Sequence, residues 1–182
     1  MLRSITTITV LAATTLALTL GLAPSSTEQG VGAPTEAIAT LRIGTYDNRA
    51  IGIAFAASKF NPVAAKMKEY HEAKAAGNTA RVKELDAWGQ QHQRELHRQG
   101  FSRVPVTDLL EPVKDQLPAL ATKLGVQAIA FDCNYATPGT EIVDVTLELV
   151  KLYEPSEQTM KWVTESLKSK PVDLDEIDRV KD

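Results

Sequence analysis

The chain has 182 residues, of which 43% are hydrophobic and 24% charged, and its formal net charge is −3. That length suits one domain of ordinary globular composition. The mild negative charge argues against a nucleic-acid-binding face, which is usually strongly basic. Cys133 is the single cysteine, which excludes an intramolecular disulfide. Because aromatic residues make up only 5%, the core must consist mainly of aliphatic side chains.

Residues 1–23 are typical of an export signal. Arg3 supplies a positive charge, and residues 5–23 contain no charged side chain before a small-residue end. This pattern predicts a cleaved signal peptide and an exported protein of the periplasm or cell envelope. The run approaches the roughly 20 residues that span a bilayer, so a retained membrane anchor is the alternative. Its six threonines dilute the hydrophobicity and favour cleavage.

The remaining chain divides into three predicted parts. Residues 24–38 contain proline, serine and glycine with little to bury, which indicates a linker. Residues 39–169 form the predicted domain, and residues 170–182 form a charged tail. Within the domain, residues 40–46 alternate polar and apolar side chains, the period of a half-buried strand.

Local signals then predict helices. Asp47 or Asn48 can cap a helix over residues 50–60, which is rich in alanine and apolar residues and should be buried on most sides. Asn61 and Pro62 are typical of a helix restart, because proline is accepted in the first helical turn.

Two apolar stripes follow, separated by Gly77-Asn78. The first stripe is Phe60, Val63, Met67 and Tyr70, and the second is Val82, Leu85, Trp88 and Leu96. Their spacing of three and four residues is that of a coiled-coil seam. The sequence therefore predicts an antiparallel helical hairpin at about residues 50–100, with the stripes facing each other.

The second half of the chain predicts a mixed pattern. Residues 107–124 should form one helix that is kinked at Pro118 and ends at Gly125. Residues 127–132 should form a buried strand, residues 141–145 a second strand, and a helix should begin at Thr146 and resume after Pro155. The predicted fold class is α/β and helix-dominated, with a small strand-containing body and a projecting antiparallel helical hairpin.

This order of elements resembles the Skp/OmpH family of periplasmic chaperones. Residues 123–132, KLGVQAIAFD, are similar to that family's helix end, glycine and strand. Residues 141–151, EIVDVTLELVK, are similar to its strand-to-helix segment. The likeness extends over about residues 39–153 and is most specific in residues 123–151.

The resemblance implies an ATP-independent holdase that forms a homo-oligomer, a trimer in the family. Its strands would pair at a central body, and its hairpins would project around a cavity that holds unfolded proteins by weak multivalent contacts. The implied partners are unfolded or partner proteins of the envelope, without a cofactor and without nucleic acid. Contact with a membrane would be limited to residues 5–23 if they are not cleaved.

Client binding is predicted for apolar residues of the hairpin, namely Met67, Tyr70 and Trp88. Trp88 and Trp162 are of the type that anchors protein interfaces. Both tryptophans fall on apolar helix stripes, so core packing is the simpler interpretation for each of them.

A different class of function is suggested by Tyr46, Asp47 and Arg49 at the first strand-to-helix junction. Helix N-termini bind anions and polar ligands, so the alternative is a small exported enzyme or ligand-binding protein that uses this junction, with or without Cys133. The simpler interpretation is that Asp47 caps the helix, Arg49 lies on the surface, and Cys133 is buried or half-buried. A membrane-anchored structural module of the envelope is a further alternative.

The three histidines do not have the spacing of a metal site. His92 and His97 are five residues apart and fall on different helix faces, whereas zinc pairs on a helix use a spacing of four. His71 lies on the other predicted arm. No metal is predicted.

Overall fold

The computed structural model of the protein describes residues 40–179. The predictions for the export signal and the linker lie outside these residues. Within them are three strands: β1 Arg42–Thr45, β2 Ala128–Ala130 and β3 Glu141–Asp144. The α-helices are α1 Asn48–Ala56, α2 Val63–Ala75, α3 Thr79–Phe101, α4 Thr107–Leu110, α5 Leu117–Leu124, α6 Thr146–Lys151, α7 Glu157–Lys168 and α8 Leu174–Arg179, with a 3-10 helix at Glu111–Gln116. The protein is α/β and helix-dominated with a small strand-containing body, as the sequence predicts.

The three strands form a parallel sheet in the order β2-β1-β3. Thr45 lies opposite Ala130 on one side and Asp144 on the other, so all three strands end at the same edge. Parallel pairing requires a crossover connection, which α1 to α5 provide between β1 and β2.

The prediction of a buried strand over residues 127–132 is wrong in its burial. β2 is an edge strand, in which Ala128 is exposed and Ile129 and Ala130 are only half-buried. The apolar side chains of this stretch do not reveal whether the strand lies at the edge or in the centre of the sheet, because both kinds of strand can carry the same residues.

The core is centred on α1, which packs against α3, α6 and α7. Ala50, Ile51 and Ala54 on α1 are almost completely buried, as the alanine-rich sequence predicts. Gly52 allows the close contact with α3, because a Cβ atom at this position would lie 3.0 Å from the backbone carbonyl of Gln99. The cap of α1 is Asp47, whose Oδ1 accepts a hydrogen bond of 2.9 Å from the Arg49 backbone amide.

Residues 107–124 form three short helices instead of one kinked helix. Pro112 lies at the start of the 3-10 helix and Pro118 at the start of α5. Neither proline has an N–H to continue an α-helical ladder, so each begins a new piece. Gly125 ends α5 with φ +63°, as predicted.

α2 and α3 are joined by residues 76–78, where Gly77 has φ +68°. The guanidinium of Arg81 on α3 donates to the Glu69 carboxylate on α2. The Lys66 ammonium lies 5.9 Å from the centre of the Trp88 ring. These contacts place α2 alongside α3.

The chain after α7 returns to α3. The Val172 amide donates to the Phe101 carbonyl at 2.9 Å, and Arg98 pairs with Asp178 of α8 at 2.6 Å. Residues 170–182, assigned to a charged tail by the sequence, therefore include a helix that contacts the domain. Between residues 40 and 179, no helix has both the length and the hydrophobicity needed to cross a membrane.

Candidate functional site

A groove of about 740 Å³ lies between α1, α2 and α3. The structure brings the three predicted client-binding residues together here, because Met67 and Tyr70 border it from α2 and Trp88 from α3. Leu96 and Phe101 extend the lining toward the end of α3. The groove will be called the α3 groove below.

Helical periodicity explains why these side chains share one surface. Val63, Met67 and Tyr70 are four and three residues apart, so they project from one face of α2. The corresponding stripe on α3 contains Leu85, which is buried. Met67 nevertheless keeps 48% of its surface exposed. The two stripes therefore border an open groove and do not form a closed seam.

Histidines are packed against the aromatic residues of the α3 groove. His92 stacks on Trp88 with ring centres 4.8 Å apart and planes inclined by 16°. The rings of His97 and Phe101 are 5.7 Å apart. These contacts restrict the rotamers of the aromatic side chains. Over residues 40–179, no group of three or more His, Cys, Asp or Glu side chains is placed to hold a metal ion.

A second groove, of about 780 Å³, continues the apolar surface between α1 and α7. Ile53, Ala56 and Phe101 border both grooves, and Phe101 is 49% exposed where they meet. Trp162 on α7 borders the second groove and is 54% exposed. This second groove will be called the α7 groove.

The interpretation of Trp162 as a core residue is therefore wrong. Val163 is the fully buried residue of α7, and Trp162 lies about 100° around the helix from it. Trp88 is half-buried at the α3 groove. Sequence reasoning also missed Phe101, because the predicted hairpin ends at about residue 100, whereas α3 continues to Phe101.

At the β1–α1 junction, Asp47 and Arg49 form an ion pair with an N–O distance of 2.6 Å. The third guanidinium nitrogen of Arg49, Nη1, donates to the Ser169 carbonyl at 2.9 Å. Arg49 is only 4% exposed, so the expectation of a surface arginine is wrong. The cost of burying its charge is offset because a carboxylate and a carbonyl both accept its hydrogen bonds.

The pKa of Asp47 results from opposing effects. Burial raises the pKa of this carboxyl, but the hydrogen bonds from Arg49 and the positive charges of Arg49 and Arg103 lower it by more. The net pKa lies below the usual range of an aspartate, so Asp47 is ionised at neutral pH. Tyr46 is buried beside it, and burial raises the pKa of its phenol.

Polar residues at the carboxyl edge of the sheet also pair with one another. Arg103 forms an ion pair of 2.8 Å with Asp132 and lies 5.1 Å from the centre of the Phe131 ring. Cys133 is half-buried, and its Sγ lies 3.2 Å from the Tyr135 carbonyl oxygen. The junction thus has a structural role in capping and ion pairing, and its role in ligand binding stays a prediction.

Comparison of the chain with protein-family models, curated proteins and solved structures found no match. The resemblance to the Skp/OmpH family stays a prediction from the sequence. The two adjoining apolar grooves therefore carry the functional argument.

Proposed function

We propose that this chain is an exported, ATP-independent holdase or protein-interaction protein of the cell envelope, similar to the Skp/OmpH family. It binds apolar segments of unfolded or partner proteins in the α3 groove. The observation that carries this proposal is the groove itself, which gathers Met67, Tyr70 and Trp88 around a volume of about 740 Å³. Extended apolar patches on soluble proteins commonly mark interaction sites. Methionine suits such a site because its flexible side chain adapts to different partners.

We also propose that α2 and α3 form an antiparallel hairpin that projects from the strand-containing body. The contacts between the two arms support this arrangement. Arg81 pairs with Glu69, Trp88 lies under Lys66, and His92 lies 3.2 Å from Asn61 before α2. As the residue number rises along α3, the number of its partner falls, which is expected of helices that run in opposite directions.

Self-association completes the proposal. Between residues 40 and 179 the sheet has three short strands, and β2 and β3 form its edges. Short sheets with open edges are poor independent structures, and pairing between copies would cover the edges. An oligomer, a trimer by the family resemblance, would also place several grooves around one client, so that weak contacts act together.

Aggregation of an unfolded client tests the function. Residues 24–182 are mixed with a guanidine-unfolded β-barrel protein on dilution, and light scattering is followed with time. We expect the wild-type chain to suppress aggregation without ATP and Met67→Asp to lose most of that effect, because a charge in an apolar groove costs desolvation. Ala64→Asp is the matched control, since Ala64 is exposed on α2 away from the groove. Absence of suppression by the folded wild-type chain at any ratio would overturn the proposal.

A further inference from the structure

We infer that the segment bound along the α3 groove is an amphipathic α-helix that runs antiparallel to α3, with an acidic residue in its first turn and a basic residue in its last. This inference rests on the proposed function, because it names the class of protein segment that the groove takes. Four properties of the groove support it: its walls, its length, the glycine at position 89 and its charges.

The walls favour a helix over an extended strand. They belong to α1, α2 and α3, and none of the strands described between residues 40 and 179 borders the α3 groove. An extended segment lying there would leave backbone N–H and C=O groups against apolar side chains, at about 1–3 kcal/mol for each unpaired group. A helix satisfies its own backbone groups and presents only side chains to the groove.

The length of the α3 groove matches a helix of ordinary size. Its lining on α3 extends from Leu85 to Phe101, which is about 24 Å at 1.5 Å per residue. A partner helix of about 16 residues covers this distance. Beyond Phe101 the apolar surface continues into the α7 groove, where Trp162 can contact the end of the partner helix.

The two glycines of α3 that border the groove differ in their contacts, because Gly100 is buried against α1 whereas Gly89 is only half-buried. Gly89 borders the α3 groove, and a Cβ atom there would meet no described atom outside its own stretch of helix within 4 Å. Glycine inside a helix costs about 1 kcal/mol relative to alanine. Gly89 therefore leaves backbone uncovered at the groove without being required by a contact with another element. Bare backbone at this face allows a bound helix to approach closely.

Charge complementarity sets the ends and the direction of the partner. On the rim, Lys66 is paired with Glu69, and Glu165 is paired with Lys168. Asp86 and Lys170 border the two grooves and form no ion pair with any residue between 40 and 179.

These two charges lie at opposite ends of the surface. Asp86 is in the second turn of α3, whereas Lys170 is two residues before Val172, whose amide bonds to the Phe101 carbonyl. Basic residues are favourable at the C-terminus of a helix and acidic residues at its N-terminus. A helix that meets Asp86 with its basic end and Lys170 with its acidic end therefore runs antiparallel to α3.

Three synthetic peptides of 18 residues and equal composition test the inference by fluorescence anisotropy against residues 24–182. The matched peptide has a helical apolar stripe, Glu in its first turn and Lys in its last. The second exchanges Glu and Lys, and the third alternates apolar and polar residues. We expect the matched peptide to bind roughly fivefold tighter than the exchanged one, because two exposed ion pairs contribute about that difference in affinity. In the Asp86→Lys/Lys170→Glu variant the preference should reverse.

Gly89→Ala adds an independent test of close approach. It should weaken binding of the matched peptide severalfold while the melting temperature does not fall. Gln91→Ala, on an exposed position of α3 outside the groove, should leave binding unchanged.

The inference is overturned if the matched and exchanged peptides bind with equal affinity both to the wild type and to the Asp86→Lys/Lys170→Glu variant. It is also overturned if the alternating peptide binds more tightly than the matched one. If the alternating peptide binds and Met67→Asp abolishes that binding, the proposed function stands and the helix inference fails. If neither a peptide nor an unfolded client depends on Met67, both fail.

Discussion

Arg49 connects two parts of the chain that are distant in sequence. Through its guanidinium it pairs with Asp47 at the end of β1 and donates to the carbonyl of Ser169, which follows α7. The junction that positions α1 is thus tied to the far end of the domain. Because α1 also borders both apolar grooves, the geometry of the grooves depends on this contact.

Replacement of Arg49 by methionine should destabilise the fold. The change leaves the Asp47 carboxylate and the Ser169 carbonyl without their partner, and breaking such a buried pair costs about 3 kcal/mol. Urea denaturation of the wild type and of Arg49→Met measures the loss in free energy of unfolding. Glu165→Ala is the control, because its pair with Lys168 is exposed and contributes below about 1 kcal/mol. A loss as small as that of the control would contradict the structural role of Arg49.

The lowered pKa of Asp47 predicts an acid-sensitive contribution to stability. The folded state favours the ionised carboxylate, so the contribution is fully present above the unfolded pKa of about 3.9 and is lost as pH falls through the lower folded pKa. The urea midpoint of the wild type should fall more steeply below pH 4 than that of Asp47→Asn, which can still cap α1. Carboxyls such as Glu69 and Asp178 titrate in both proteins, so the difference reports Asp47. Parallel curves would show that Asp47 does not carry this effect.

At the scale of single residues, the sequence predicts that Asp47 caps α1 but does not predict that Arg49 is buried. Asp47 stands directly before an alanine-rich run, which is enough to identify it as an N-cap. The burial of Arg49 depends on Ser169, which is 120 residues away in the chain. No local pattern carries that information, so an arginine in this position is read as a surface residue.

Among the elements, local signals predict most helix starts and stops. Pro62 precedes α2, Gly125 follows α5, and Ser156 caps α7 by accepting a hydrogen bond from the Thr159 amide. Prolines also explain the largest error, because Pro112 and Pro118 divide one expected helix into three pieces. Exposure was less predictable than secondary structure. Met67 and Trp162 are apolar residues in helices, and only the arrangement of α1, α2, α3 and α7 determines that they remain exposed.

Two glycines should respond to alanine in opposite directions. Gly89→Ala should increase the free energy of unfolding by about 0.5–1 kcal/mol, because alanine favours the helix and its Cβ would meet no described atom outside its own stretch of helix. Gly52→Ala should decrease it by about 1–3 kcal/mol, because its Cβ would press on the backbone of Gln99 and Gly100. Urea denaturation at neutral pH measures both. A loss of stability in Gly89→Ala would mean that the fold itself requires this glycine.

For the whole molecule, two kinds of exposed surface have to be distinguished. The grooves are apolar and lie on helices, whereas the sheet offers the edges of β2 and β3. Under the proposed function, partner binding uses the grooves and self-association uses the strand edges. No local sequence pattern reports how an edge strand meets another copy. The oligomeric state therefore has to be measured.

We expect residues 24–182 to have the mass of an oligomer, which is a trimer under the proposed function, when they are measured by light scattering coupled to size exclusion. Ile142→Lys should reduce that mass, because a charge on an edge strand opposes pairing between copies. Ile142 is 45% exposed on β3, and Leu147 on α6 is similarly exposed outside the sheet, so Leu147→Lys is the matched control. Both variants should still bind peptides in the α3 groove. If the wild type is a monomer at micromolar concentration, the proposed cavity shared between copies is wrong. Binding of a helix by a single groove can then still be tested on that monomer.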